Sequence, residues 1–146
     1  MLRGHAPAKI DEKGRLKLPS VFRSILEPKY GRDYFVTSIR GDAVHVYPME
    51  VYAAFEDRLI RASSVAPLVN RLRSALNYFG QSAAMDGQGR ILIHPLLREK
   101  VGIQGEVSVL GQQDHLDVWS RADVERRVLD SPLTDADLQD LAGLGF

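Results

Sequence analysis

Ile10-Asp11-Glu12-Lys13-Gly14-Arg15-Leu16-Lys17-Leu18 returns as Met85-Asp86-Gly87-Gln88-Gly89-Arg90-Ile91-Leu92-Ile93, an offset of 75 residues from Asp11 to Asp86. A fixed self-similarity of this kind marks a duplicated supersecondary unit. The match runs past the motif. Val21, Phe22 and Arg23 fall on Leu96, Leu97 and Arg98 at the same spacing. Val44-His45-Val46-Tyr47 then aligns with Leu116-Asp117-Val118-Trp119 after a shorter loop. Chance supplies one Asp-x-x-Gly-Arg match, but not the flanking apolar pattern, the trailing arginine and a second aligned strand.

Each copy reads as strand, turn, strand, helix, hairpin and helix. Lys13-Gly14 and Gln88-Gly89 make hairpin-type turns, where glycine admits the positive φ that closes them. Leu16-Lys17-Leu18 alternates as a strand with one buried face. Ile91-Leu92-Ile93 is apolar on both faces, which predicts a more deeply buried strand. Pro19 and Pro95 suit the first turns of short helices over Ser20 to Leu26 and Leu96 to Val101. Strands follow at Tyr34 to Ser38, Ala43 to Tyr47, Glu106 to Leu110 and His115 to Trp119. The copies end in helices over Pro48 to Ile60 and Arg121 to Leu129. Leu68, Leu72, Leu76 and Phe79 form a helical stripe in a connecting helix, Val65 to Phe79, ended by Gly80. Thr134, with Asp137 three residues on, caps a short tail helix. The divisions are residues 7–53 and 82–125 for the two repeats, 54–81 for the connecting helices and 126–146 for the tail.

Composition narrows the function. The 146 residues are 45% hydrophobic, enough for a real core, and the net charge is zero, which excludes a uniformly basic nucleic-acid binder. Charge is nevertheless segregated. Arg3, Lys9, Lys13, Arg15, Lys17 and Arg23 face only Asp11 and Glu12 at the leading end, whereas the trailing end is acidic. A polyanion-facing side and a solvated side are expected. There is no cysteine, so disulfides and thiolate metal sites are absent. The charged opening is no signal peptide, and no apolar run approaches the roughly 18 residues of a membrane helix. A soluble, cytoplasmic protein is expected, with no membrane partner.

Catalytic readings find no constellation. The four histidines, His5, His45, His94 and His115, show neither HExxH nor paired metal spacing. His45 and His115 read as satisfied surface histidines at the last strand of each copy. Ser20, Ser63 and Ser64 lie in no nucleophile elbow. Gly87-Gln88-Gly89 is a hairpin turn and not a phosphate loop, and Tyr47 and Trp119 read as core or interface residues. No metal, cofactor, small-molecule substrate or enzymatic activity is expected.

With both motifs in view, the chain resembles the MraZ family, the regulators of the bacterial division and cell-wall gene cluster. The resemblance rests on Asp11-Glu12-Lys13-Gly14-Arg15-Leu16-Lys17-Leu18-Pro19 with Arg23, and on Asp86-Gly87-Gln88-Gly89-Arg90-Ile91-Leu92-Ile93 with Leu97-Arg98-Glu99. It covers roughly Arg3 to Leu129. His94 departs from the first copy's Pro19, the proline coming one residue later. The resemblance implies a strand-rich α+β fold, a duplicated AbrB-type swapped-hairpin (double-split) β-barrel with peripheral helices. It also implies a ring-shaped homo-oligomer that represses its own cluster by binding short direct repeats in double-stranded promoter DNA.

On the residues themselves, an arginine fork beside a tight turn can enter a groove and read guanine, while lysines neutralise phosphate. Arg15 and Arg90 are assigned the reading or clamping role, with Lys13 and Gln88 at the turn tips and Lys9, Lys17 and Arg3 attracting phosphate. Asp11 and Asp86 orient the arginines, and Gly14 and Gly89 close the turns. Arg23 and Arg98 open helices, make local salt bridges and stay outside the site. The rival reading is an antitoxin-like interaction module whose acidic tail after Ser131 binds a protein partner.

Overall fold

The computed structural model describes residues 1–62 and 66–146. Ser63, Ser64 and Val65 lie outside the described residues. The first copy contributes β1 (His5–Ile10), β2 (Arg15–Lys17), α1 (Ser20–Tyr30), β3 (Asp33–Thr37), β4 (Val44–Pro48) and α2 (Met49–Arg61). After α3 (Pro67–Phe79), the second contributes β5 (Gln81–Ala84), β6 (Arg90–Leu92), α4 (Pro95–Val101), β7 (Gly105–Gly111), β8 (Leu116–Ser120) and α5 (Arg121–Glu125). A π-helical turn, Arg126–Asp130, and α6 (Asp135–Gly143) complete the chain.

The expected swapped-hairpin barrel is what forms. All eight strands among the described residues belong to one antiparallel sheet in the order β5-β3-β4-β8-β7-β1-β2-β6. Its two end strands are consecutive in sequence across the second Asp-x-x-Gly-Arg turn, so the sheet curls into a nearly closed barrel. Closure of this kind removes the exposed edges that invite aggregation. The copies are interleaved: β1 of the first pairs with β7 of the second, and β5 of the second pairs with β3 of the first.

Two ladders join the copies at equivalent residues. In β2·β6 Leu16 faces Ile91, and in β4·β8 His45 faces Asp117. Antiparallel pairing of equivalent positions is the signature of a local two-fold axis. The barrel order puts these two ladders on opposite walls.

The core follows the period-two alternation. Leu16, Leu18, Ile91, Ile93, Val36, Val44, Val46, Val107, Val109, Leu116 and Val118 point inward, and Phe22, Leu26 and Leu97 of the helices close the ends. Each such side chain contributes on the order of 1.5–3 kcal/mol of transfer free energy.

Four expectations need correction. The strand around Leu92 is not more deeply buried than its counterpart, because Leu92 is 47% exposed. β6 is only three residues long, and Leu92 lies opposite Arg15 on the outward face that Lys17 occupies in the first copy. The first helix runs past Leu26 to Tyr30 despite Pro28. Pro28 sits near the helix end on the exposed side, Tyr30 packs against the core, and Gly31 (φ 77°) closes the helix with its N–H donated to the Glu27 carbonyl at 2.9 Å.

In α3 only the far end of the stripe packs. Leu76 is 1% exposed and its carbonyl accepts the Thr37 hydroxyl at 2.7 Å, whereas Leu68 at the helix start is 73% exposed. The last helix of the second repeat stops being α-helical at Glu125 and widens into the π-helical turn. Thr134 and Asp137 form a reciprocal capping box, each side chain accepting the other's backbone N–H.

Candidate nucleic-acid interface

The two Asp-x-x-Gly-Arg segments adopt the same structure. Asp11 accepts backbone N–H groups from Lys13 at 3.0 Å and Arg15 at 2.9 Å, and its second oxygen accepts Arg15 Nε at 2.8 Å. Asp86 does the same with Gln88 N and Arg90 N at 2.9 Å each and Arg90 Nε at 2.7 Å. A short carboxylate that mimics a backbone acceptor two residues on is the reason aspartate suits a turn start. Gly14 (φ 83°) and Gly89 (φ 78°) take the left-handed conformation that lets each turn fold back into its strand.

Charge follows geometry. The backbone N–H of Arg15, helped by its guanidinium, holds the Asp11 carboxyl below the ordinary carboxylate range against the opposing effect of burial. The same arrangement at Arg90 lowers Asp86 to about 2. Both carboxylates are therefore ionised at neutral pH and fix only the Nε edge of their arginines. Among the described residues, the outer Nη edges of Arg15 and Arg90 make no hydrogen bond, and the side chains are 30% and 25% exposed. A guanidinium held by one edge and open at the other is a pre-oriented fork for a planar acceptor pair.

The turns are not separate fingers. Leu18 N donates to Gly89 O and Ile93 N to Gly14 O, each at 2.9 Å, so each turn abuts the end of the other copy's strand. The outward face of the β2·β6 ladder carries Arg15 opposite Leu92 and Lys17 opposite Arg90. With Lys13 exposed at the first tip and Gln88 at the second, this gives one strip of four cations across the two-fold. Lys9 is exposed on β1, beside the strip and opposite Glu106 of β7. Arg3 lies at the far end of β1, next to the Leu2–Gln113 bridge. At about 3.3 Å per strand residue it sits roughly 23 Å from the turn, so the structure does not bring it to the strip.

Arg23 and Arg98 prove to belong to the turn architecture. Arg23 does pair locally with Glu27 at 3.0 Å, but its Nη2 also donates to Gly87 O at 3.1 Å in the other copy's turn. Arg98 donates through Nε to Ile93 O at 2.8 Å, and its guanidinium covers Gly14. A Cβ on Gly14 would lie 2.5 Å from the Arg98 guanidinium, and one on Gly89 would lie 2.8 Å from Arg23 Cδ. Each copy's helix thus clamps the other copy's turn. The recurrence of Arg23 and Arg98 at the repeat offset was the available signal.

Gly14→Ala is accordingly expected to destabilise by about 1–3 kcal/mol in urea denaturation, from positive-φ strain plus the clash. Combining it with Arg98→Ala should cost less than the sum of the single changes, because the clash partner is gone. Strict additivity would place the strain in the backbone alone.

The comparisons with known proteins agree in direction. The family model for the MraZ protein, whose description adds the word antitoxin-like, matches residues 1–74 and 80–130. A protein of Koribacter versatilis named Transcriptional regulator MraZ is 40% identical over 147 residues, covering 100% of both chains. One of the same name from Acidobacterium capsulatum is 36% identical over 146 residues, again with 100% of both chains. The so-named protein of Escherichia coli K12 is 32% identical over 143 residues, 97% of this chain and 91% of its own length.

Proposed function

The chain belongs to the MraZ family, and from that premise we propose that it is a sequence-specific DNA-binding transcriptional regulator. It represses the bacterial division and cell-wall gene cluster by binding short direct repeats in its own promoter as a ring-shaped homo-oligomer. It works in the cytoplasm on the nucleoid, with no enzymatic step. The printed name of the relatives, transcriptional regulator, supports the class. The observation that carries the reading is the strip of Lys13, Arg15, Lys17 and Arg90 on one outward ladder, with both arginine forks held open.

The strip also explains how a chain of zero net charge can attract a polyanion. Four cations share one outward ladder, while Asp123, Glu125, Asp130, Asp135, Asp137 and Asp140 lie on the trailing segment. A single strip of four cations is a modest site. Several copies in a ring gain by effective concentration when they engage one duplex. A head-to-tail interface presents successive strips in the same sense, which suits direct repeats rather than a palindrome. An apolar groove of about 1330 Å³ supports such an interface, lined by Pro7, Leu18, Pro19, Val107, Val124 and Leu129.

The test is a salt titration of a gel shift on the DNA upstream of the chain's own gene. With about three phosphates neutralised per engaged copy, two engaged copies give a slope of log K against log salt near −5. Scrambled DNA of equal length should bind at least a hundredfold more weakly. Equal binding to both duplexes would leave only bulk attraction and end the proposal of sequence-specific regulation.

A further inference from the structure

On the barrel wall opposite the cationic strip, three donor side chains from the two copies converge. His45 stands on β4, His115 enters β8 and Asp117 lies on β8, where the ladder pairs it with His45. His45 Nδ1 lies 2.5 Å from Asp117 Oδ1, and His115 Nε2 lies 3.3 Å from the same oxygen. One ligand-type atom from each of the three residues falls within a 4.8 Å span. The side chains of His45 and Asp117 are each 13% exposed, and that of His115 is 20% exposed, so the cluster is shielded yet reachable.

We propose that His45, His115 and Asp117 form a binding site for one divalent transition-metal cation of the zinc class. The donor set suits such an ion: two imidazole nitrogens and one carboxylate oxygen are the mixed set that zinc binds in open sites, with a fourth position for water. Tetrahedral zinc spaces neighbouring donors roughly 3.3 Å apart, from metal–ligand distances of about 2.0–2.2 Å. The His115–Asp117 separation of 3.3 Å has that value already, and the His45–Asp117 approach of 2.5 Å opens by less than an ångström to admit the ion.

The outer groups fit as well. Asp114 Oδ1 lies 2.8 Å from His115 Nδ1. A ligating histidine characteristically donates its other ring N–H to a carboxylate, which fixes the tautomer and leaves Nε2 for the metal. The Tyr47 ring stacks on His115, centroid to centroid 4.5 Å with 19° between planes, and holds the imidazole in position. Asp117 Oδ1 faces two imidazoles, and His115 faces a carboxylate at each nitrogen. A cation at Nε2 satisfies the same atoms with a neutral ring. Because His45 comes from the first repeat and the other two ligands from the second, the ion cross-links the copies at their two-fold.

The experiment is zinc titration of the tag-free, full-length, chelator-stripped protein by calorimetry, with a parallel melting curve. One zinc per chain and a Tm that rises with zinc concentration are expected. His45→Ala and His115→Ala should each weaken binding at least tenfold, and Asp114→Asn by about 10–100-fold through loss of the orienting bond. His5→Ala, on an exposed histidine outside the cluster, should bind as the parent does. Circular dichroism checks each variant's fold, and Asp114→Asn, half-exposed, keeps the test sound if a ligand variant misfolds. Absence of saturable binding at one ion per chain overturns the site, as does parental affinity in a folded His45→Ala or His115→Ala protein.

Discussion

Arg15→Ala is expected to abolish operator binding while leaving the melting temperature and oligomer size of the protein unchanged. The second half of that expectation comes from the turn. Asp11 still accepts the N–H groups of residues 13 and 15 when the guanidinium is gone, and Gly14 N still donates to Asp11 O at 2.9 Å. The lost ion pair is more than a quarter exposed on both sides, and such pairs contribute on the order of 0–1 kcal/mol. The first half comes from the open Nη edge. A bidentate arginine–base contact discriminates by about 1–3 kcal/mol. Two engaged copies of a ring lose that twice, a factor of roughly thirty to twenty thousand in affinity. Electrophoretic mobility shift with the parent's operator, alongside size-exclusion chromatography and a melt, reads all three quantities. An Arg15→Ala protein that unfolds or falls out of the ring makes the turn structural and removes Arg15 from the interface. Arg90→Ala should be the weaker change, because Leu92 stands where the first copy has Lys17 and local positive charge is lower.

Most of this architecture was legible because it is local and repeated. The alternation through Leu16 and Leu18, the late-turn glycines and the Asp-to-Arg spacing all act within a few residues, and their recurrence argued for a duplicated unit, which the family resemblance then implied to be a barrel. What escaped the sequence depends on contacts between the copies. Arg23 and Arg98 look like helix-opening residues until the swap lays each helix over the other copy's turn. His45 lies in one hairpin and His115 and Asp117 in another, and they meet only through the β4·β8 register. Leu92 reads as core by its chemistry but falls on the outward side of a three-residue strand, where period two overrides hydrophobicity. The helix continues past Pro28, at the loss of one backbone donor, because Tyr30 packs against the core and Gly31 closes the end on the Glu27 carbonyl.

Leu16→Ala should be the most destabilising single truncation in the barrel, at about 2–5 kcal/mol in urea denaturation at fixed protomer concentration. Leu16 is 0% exposed and faces Ile91, also 0% exposed, where the two repeats cross. That ladder is only three residues long on each strand, so it has few side chains over which to spread the loss. Leu18 and Ile93, at 2% and 0% exposure, flank the cavity that the truncation opens. They are anchored by bonds to the turn glycines, Leu18 N to Gly89 O and Ile93 N to Gly14 O, and cannot collapse into it without opening both turns. A loss of this size is a large share of the 5–15 kcal/mol that holds an ordinary domain. It should also weaken DNA binding indirectly, since the outward strip rests on this inward row. Ile91→Ala, its two-fold equivalent, should match it within about 1 kcal/mol, and the double change should be non-additive because the two side chains share one cavity. Leu92→Ala is the internal control: the same chemistry one residue along, 47% exposed, should cost no more than about 0.5 kcal/mol. A Leu16→Ala cost as small as that of Leu92→Ala would mean that the two copies are not held together through this ladder.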